Sequence, residues 1–224
     1  MFTIRPQPRS IIPSITWRVT LNTEFRLVLI TAYQSFGDMR LNTPSRVIPA
    51  LFTSTSIGPI DVLVNNAGIT RDGVFKRMSP NDWYAVINTN LNSVFNVTRQ
   101  VIEGMMERGW GRIVNISSVN ALKGQFGQTN YSAAKAGMHG FTKALAQEVV
   151  KKGVTVNTIS PGYVDTDMVR AIKTEVLDSI VSSIPMGRLA RPEEIAGLVS
   201  YLSSDDAGYI TGANISINGG LHME

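Results

Sequence analysis

Cysteine is missing from all 224 residues, which excludes disulfides and thiolate metal sites and fits a reducing, cytoplasmic setting. Histidine is nearly missing. The two present, His139 and His222, lie far apart with no carboxylates spaced around them, so no metal site is expected. Long apolar runs are absent as well. The stretch Phe25 to Tyr33 contains Arg26 and falls far short of the roughly 20 residues of a membrane span, so no membrane partner is expected.

Residues 1–56 lack lysine altogether and hold one glycine, Gly37, with six arginines against two acids, Glu24 and Asp38. They also carry five of the ten prolines and fourteen serines and threonines. Residues 57–224 hold 15 bases and 15 acids, so the formal net charge of +4 and the pI near 9.5 arise in the first segment. Its arginines are scattered without a recognition motif, and no nucleic-acid partner is expected. Such a start also has the composition of an organelle transit peptide, but the prolines interrupt any amphipathic helix. Val19 to Tyr33 is apolar enough for a strand or two. The chain therefore reads as two portions, an atypical segment 1–56 and a body 57–224 long enough to bury a sizeable core.

The body alternates strands and helices. Ile60 to Val64 reads as a buried parallel strand running into Asn65-Asn66-Ala67-Gly68. Ser79, with Pro80 behind it, opens a helix reaching Met106, and Gly109 and Gly111 end it. Arg112 to Ile116 is the next strand, Tyr131 to Lys152 a helix closed by Gly153, and Val154 to Ile159 a strand ending in Ser160-Pro161-Gly162. Residues 163–190 form an excursion with a helix over 169–184. Arg191-Pro192-Glu193-Glu194 opens a helix to Ser203, and Asn214 to Ile217 is the last strand. This alternation predicts an α/β fold, a Rossmann-like doubly wound parallel sheet in three αβα layers. Ligands of such sheets bind at the carboxyl ends of the strands, where Asn66-Ala67-Gly68, Ser118 and Pro161-Gly162 would converge.

Chemistry is concentrated in Ser117 to Lys135, SSVNALKGQFGQTNYSAAK. Tyr131 and Lys135 are four residues apart, so a helix beginning near Tyr131 puts both on one face. A tyrosine, with a free pKa of about 10, is a poor proton donor near neutrality, and a fixed cation beside it favours its phenolate and lowers that value. Lys135 supplies such a cation. Tyr131 could then protonate a carbonyl oxygen as hydride reaches its carbon, with Ser118 hydrogen-bonded to the same oxygen. A tyrosine and a lysine at this spacing, taken alone, more often mark a solvated helix face.

Taken together and in order, NNAG at 65–68, Asn90, Ser118, Tyr131 with Lys135, PG at 161–162, Thr166 and RPEEIA at 191–196 resemble the short-chain dehydrogenase/reductase family across residues 57–224. Within that family, RGWGRIVNISSVN, KGQFGQTNYS, AQEV, KGVTVNT, SPGY and the ending NGGLHM resemble the acetoacetyl-CoA reductases of polyhydroxyalkanoate synthesis. The resemblance implies NADPH-dependent reduction of a 3-oxoacyl-CoA thioester to the 3-hydroxyacyl-CoA, by a cytoplasmic homo-tetramer. NADH is not excluded. It implies Tyr131 as general acid, Lys135 as its tuner and ribose ligand, Ser118 as carbonyl orienter, and Asn90 as holder of a water leading to Lys135. Asn66, Ala67, Gly68, Ile69, Tyr131, Lys135, Pro161, Gly162, Val164 and Thr166 would line the cofactor. Asp72, Gln125, Phe126, Gln128, Gly162 and Tyr163 would meet the acyl-CoA. Plainer roles stand beside these: Asn65 and Asn90 would tie loops together, and Phe126 and Tyr163 would pack a lid.

Family members begin with a strand and a TGxxxGxG turn that seats the pyrophosphate at a helix N-terminus. Residues 1–56 have no such turn, and NNAG comes earlier than the resemblance leads us to expect. We therefore expect the first strand, turn and helix to be replaced, through a shifted reading frame or an aberrant gene start, and a central strand to lose its neighbour. Two other readings follow: a 3-oxoacyl-(acyl-carrier-protein) reductase with the same chemistry, and a non-catalytic truncated relative.

Overall fold

The computed structural model describes residues 15–17 and 27–31 as backbone strands, and residues 59–170 and 172–223, with no side-chain description at 167 and 168. The expected join at Ile57 and most of the atypical segment lie outside the described residues. Among the described residues six strands form one sheet in chain order: β1 (Ile15–Trp17), β2 (Leu27–Thr31), β3 (Val62–Asn65), β4 (Gly111–Ile116), β5 (Val154–Pro161) and β6 (Asn214–Ile217). From β2 to β6 every neighbour is parallel, and β1 lies antiparallel on β2.

One expectation is corrected here. The central strand β3 does not lose its neighbour, because β2 pairs with it from Leu27↔Val62 to Ile30↔Asn65. A short β-branched and leucine-rich run supplies the backbone ladder that a parallel sheet needs, whatever precedes or follows it. Of the expected strands between Val19 and Tyr33, β2 lies inside that span and β1 ahead of it.

Alternate residues of the strands face opposite ways, and each face has its own core. Leu63, Ile113, Val154 and Val156 meet Val97, Val101, Ile102 and Met105 of one helix and Ala146 and Val149 of another. These helices are α2 (Ser93–Arg108) and α4 (Thr129–Val149). On the other face Val62, Val64, Val114, Ile116 and Ile159 pack with Leu198, Val199 and Leu202 of α7 (Pro192–Leu202). The result is the three-layer, Rossmann-like α/β sheet read from the sequence. Among the described residues no helix is long and apolar enough to cross a membrane.

Ser79 caps α1 (Pro80–Ile87) by accepting from the Asp82 N–H at 3.1 Å, as its position before Pro80 predicted. The helix continues to α2 through one π turn, Asn88–Asn92, which turns Asn90 into the protein. In the excursion the single expected helix is two, α5 (Asp167–Arg170) and α6 (Thr174–Ser183), with Lys173 extended at φ −56° and ψ 140° before the second. Another short helix, α3 (Asn120–Lys123), follows β4.

Candidate active site

Strand β4 delivers Ser117 and Ser118 at its carboxyl end, and the first turns of α4 deliver Tyr131 and Lys135. The i,i+4 spacing places both on one face, as expected, with the Lys135 ammonium 5.7 Å from the centre of the Tyr131 ring. Lys135 is only 3% exposed, and its Nζ donates to the Ile116 carbonyl at 2.7 Å. That bond fixes the ammonium against the end of β4. A Cβ built on Gly68 would stand 3.5 Å from Lys135 Nζ and 3.6 Å from Asn90 Oδ1, so the missing side chain leaves a gap lined by an amine and an amide.

The electrostatics differ from expectation at one point. Spacing alone led us to expect Lys135 to lower the Tyr131 pKa, but burial raises it, a hydrogen bond with Ser118 works the other way, and the Asp72 charge adds to the rise. Burial acts on Lys135 as well and lowers its ammonium to about 8. A desolvated cation gives up its proton more readily, so both partners of the pair are shifted toward their neutral forms.

Asn90 is fully buried and grips the NNAG loop through both ends of its amide. Its Oδ1 accepts from the Ile69 N–H at 2.8 Å and its Nδ2 donates to the Ile69 carbonyl at 2.9 Å. Asn65 likewise ties strands together, donating to Asn115 Oδ1 at 2.8 Å and Thr98 Oγ1 at 3.4 Å. Asn66, Ala67 and Gly68 follow it, half-buried, along the mouth of the gap. On the far side Gly162 donates to the Ile217 carbonyl at 3.0 Å, and a Cβ there would stand 2.9 Å from the Asn218 Cα. Only glycine allows that backbone approach, and Pro161 before it accepts from the Val119 N–H at 2.8 Å. Val164 bridges Ala190, and the Thr166 carbonyl accepts from the N–H groups of Val169 and Arg170 at 2.9 Å, so both lie where the excursion begins.

Of the residues expected on the acyl side, Asp72, Gln128 and Tyr163 are brought together. Gln128 Nε2 donates to Asp72 Oδ2 at 3.0 Å, and the Asp72 charge reaches both Tyr131 and Tyr163, whose phenol is raised first by burial and then by that carboxylate. Gln125 is turned to Lys123, whose Nζ donates to its Oε1 at 2.8 Å. Phe126 is 85% exposed, so it packs no lid here. A groove of about 810 Å³ runs from Gly162 and Tyr163 between β6 and residues 184–190.

Comparison with known proteins fits this geometry. A family profile described as enoyl-(acyl carrier protein) reductase matches residues 49–222. An acetoacetyl-CoA reductase of Cupriavidus necator is 68% identical over 169 residues, 75% of this chain and 69% of that one. The chain belongs to the short-chain dehydrogenase/reductase family. An acetoacetyl-CoA reductase of Allochromatium vinosum is 67% identical over 167 residues, 75% of this chain and 68% of that one. A 3-oxoacyl-(acyl-carrier-protein) reductase of Pseudomonas aeruginosa is 50% identical over 162 residues, 72% of this chain and 66% of that one.

As a short-chain reductase the chain is an oxidoreductase of a family that works with a nicotinamide cofactor, and the residues around Gly68 fit one. Ile116 engages one of the three N–H donors of Lys135, and the others lie beside the space that a glycine keeps open. The residues that would hold the adenosine half lie outside the described residues. Between Thr31 and Gly58 the only glycine is Gly37, so the sequence there lacks the family's glycine-rich turn.

Sequence reasoning passed over the polar groups beneath the site. Ser117 Oγ donates to the Lys135 carbonyl at 2.9 Å and meets His139 Nε2 at 3.0 Å, and His139 Nε2 lies 3.3 Å from Ser160 Oγ. Asn130, fully buried, donates to the Arg71 carbonyl at 3.0 Å and accepts from the Tyr131 N–H at 2.7 Å. Asn115 donates to Thr142 Oγ1 at 2.8 Å. The signal for these was asparagine and serine inside otherwise apolar strand and helix faces, where burial demands a partner.

Proposed function

We propose that this chain reduces the ketone of acetoacetyl-CoA with NADPH, giving the 3-hydroxyacyl-CoA that feeds polyhydroxyalkanoate synthesis. The observation that carries this reading is the meeting of Ser118, Tyr131 and Lys135 at the strand ends with Asp72 and Gln128 beside them. The high identity to acetoacetyl-CoA reductases supports the CoA thioester as carrier.

In this reading the bound cofactor supplies hydride to the ketone carbon. Tyr131 gives its phenolic proton to the oxygen as charge builds there, and its raised pKa keeps that proton in place until then. Ser118 donates a hydrogen bond to the same oxygen. Lys135, with an ammonium lowered to about 8, releases and regains a proton near neutrality and so can reload the phenol, with Asn90 holding a water on that path. Asn66, Ala67, Gly68, Ile69, Pro161, Gly162, Val164 and Thr166 line the cofactor side, and Asp72, Gln125, Phe126, Gln128, Gly162 and Tyr163 the acyl side. The enzyme acts in the cytoplasm as a homo-tetramer. Support for assembly comes from exposed Tyr84 and Phe95 on α1 and α2 and from β6, whose outer edge pairs with no other strand among the described residues.

The test is NADPH binding by the whole chain, followed by the enhancement and blue shift of nicotinamide fluorescence, then turnover of acetoacetyl-CoA. Micromolar binding with turnover is expected, and NADH in parallel measures cofactor choice. A folded chain that binds neither cofactor overturns the reading and leaves a non-catalytic relative. The 50% identity to an acyl-carrier-protein reductase keeps that carrier as second reading. A higher kcat/KM on acetoacetyl-carrier protein than on acetoacetyl-CoA would favour it.

A further inference from the structure

Three polar side chains from three separate segments stand in a row at the acyl side of the site. Gln128, at the entry to α4, donates from Nε2 to Asp72 Oδ2 at 3.0 Å. Asn120, the first residue of α3, donates from Nδ2 to Gln128 Oε1 at 3.0 Å. The direction of the row is fixed at one end. An ionised carboxylate only accepts, so Asp72 takes the Gln128 amide N–H, which turns Gln128 Oε1 toward Asn120, which turns the Asn120 amide nitrogen toward Gln128. That order leaves Asn120 Oδ1 buried without a partner among the described residues, in a residue 8% exposed. An orphaned buried acceptor costs stability, and apolar residues of similar size would avoid it.

The other end of the row reaches the chemistry. The backbone N–H of Asn120 donates to Ser118 Oγ at 3.1 Å. With that lone pair engaged, the Ser118 hydroxyl proton is directed away from Asn120, and Ser118 is the group that holds the Tyr131 pKa back against the rise caused by burial. The two loops bearing the row are also joined by the Gly73 N–H to the Gly127 carbonyl at 2.8 Å, so Asp72 and Gln128 move as one piece.

We propose that Asn120 is a positioning residue that passes the arrangement of the Asp72–Gln128 pair to the hydroxyl of Ser118. The inference rests on the reductase reading above. Its prediction is a reversal of polarity. Asn120→Asp sets a carboxylate against Gln128 Oε1, and turning the Gln128 amide over sets its oxygen against Asp72. With acetoacetyl-CoA and NADPH, this variant loses kcat by about ten- to a hundredfold, the scale of a slightly misplaced reacting group. In the double variant Asp72→Asn/Asn120→Asp the whole row runs backwards with every contact restored, at unchanged total charge. It recovers kcat by about tenfold or more over Asn120→Asp alone, whatever KM does. A double variant no better than Asn120→Asp, or an Asn120→Asp variant with full kcat, overturns the inference.

A second readout needs no turnover. Asn120→Ala slackens Ser118 and so shifts the phenolate titration of Tyr131 upward, in the same sense as Ser118→Ala, read by ultraviolet difference absorbance with Tyr131→Phe as blank. An unmoved titration means that Asn120 only fills space. If the unmodified chain fails to reduce acetoacetyl-CoA the substrate reading falls, and this titration still decides the positioning role.

Discussion

Lys135 and Arg112 are both buried cations, and they sit at opposite ends of the same sheet. At the amino end of β4, Arg112 lies 4.3 Å over the Trp110 ring, pairs with Asp205 at 3.3 Å, and donates to the carbonyls of Gly111 and Gly153 at 3.0 and 3.3 Å and of Ser204 at 3.2 Å. At the carboxyl end, Lys135 gives one hydrogen bond among the described residues, to Ile116. Burial lowers both pKa values, but at Arg112 the Asp205 charge opposes it and at Lys135 burial acts alone. A buried charge saturated with partners is a fastener. One left short of partners beside an open gap is set up for proton transfer or ligand binding.

The comparison is broken most severely at the phenol that Lys135 accompanies. Tyr131→Phe removes the proposed acid and lowers kcat by about 10²- to 10⁴-fold, with NADPH affinity measured by fluorescence within about threefold. Next comes Lys135→Met, which lowers turnover and also changes stability. The Lys135 ammonium titrates near 8 when folded against 10.5 as its ordinary value, so between those pH values the unfolded chain binds more protons. Stability therefore rises with pH across that window, and the burial penalty is fully present below it. Lys135→Met abolishes that rise and adds stability on the order of 1–3 kcal/mol at pH 7, measured by urea unfolding across pH.

Arg112→Met should do the opposite. It strands the Ser204 and Gly153 carbonyls, costs about 2–4 kcal/mol in the same unfolding measurement, and leaves kcat within about twofold. If it lowered kcat as Lys135→Met does, the distinction between fastener and site would fail. The smallest effect belongs to Glu194, held at about 2 by its hydrogen bonds from Arg188 and the Arg191 N–H, at the exposed start of α7. Its contribution is present above its ordinary value of 4.5 and lost as pH falls through about 2. Glu194→Gln lowers the melting temperature slightly at neutral pH and flattens its acid dependence.

Much of this was legible in the chain. The β-branched runs at 60–64, 112–116 and 154–159 became β3, β4 and β5, Ser79 and Pro80 opened a helix, and Gly153 closed one, because strand burial and helix ends depend on neighbours in sequence. Ser118, Tyr131 and Lys135 met because a strand end and a helix start are rigid mounts. The excursion was less legible: one helix became two, and Phe126 turned to solvent, since loop conformation depends on contacts that spacing does not encode. The direction of the Tyr131 shift was misread for a related reason. Spacing puts a cation nearby, but only the fold sets how much water is left around both groups.

Sequence by itself determined the α/β alternation, the glycine at 68 and the order of residues converging on one crevice, since these follow from periodicity and local backbone freedom. Only the tertiary structure decided that Leu27–Thr31 stands beside β3, that Asn90 grips Ile69, and that Asp72, Gln128 and Asn120 form one polarised row. Those are contacts between segments far apart in the chain. Their energy depends on burial and direction, which exist only once the sheet has brought the segments together.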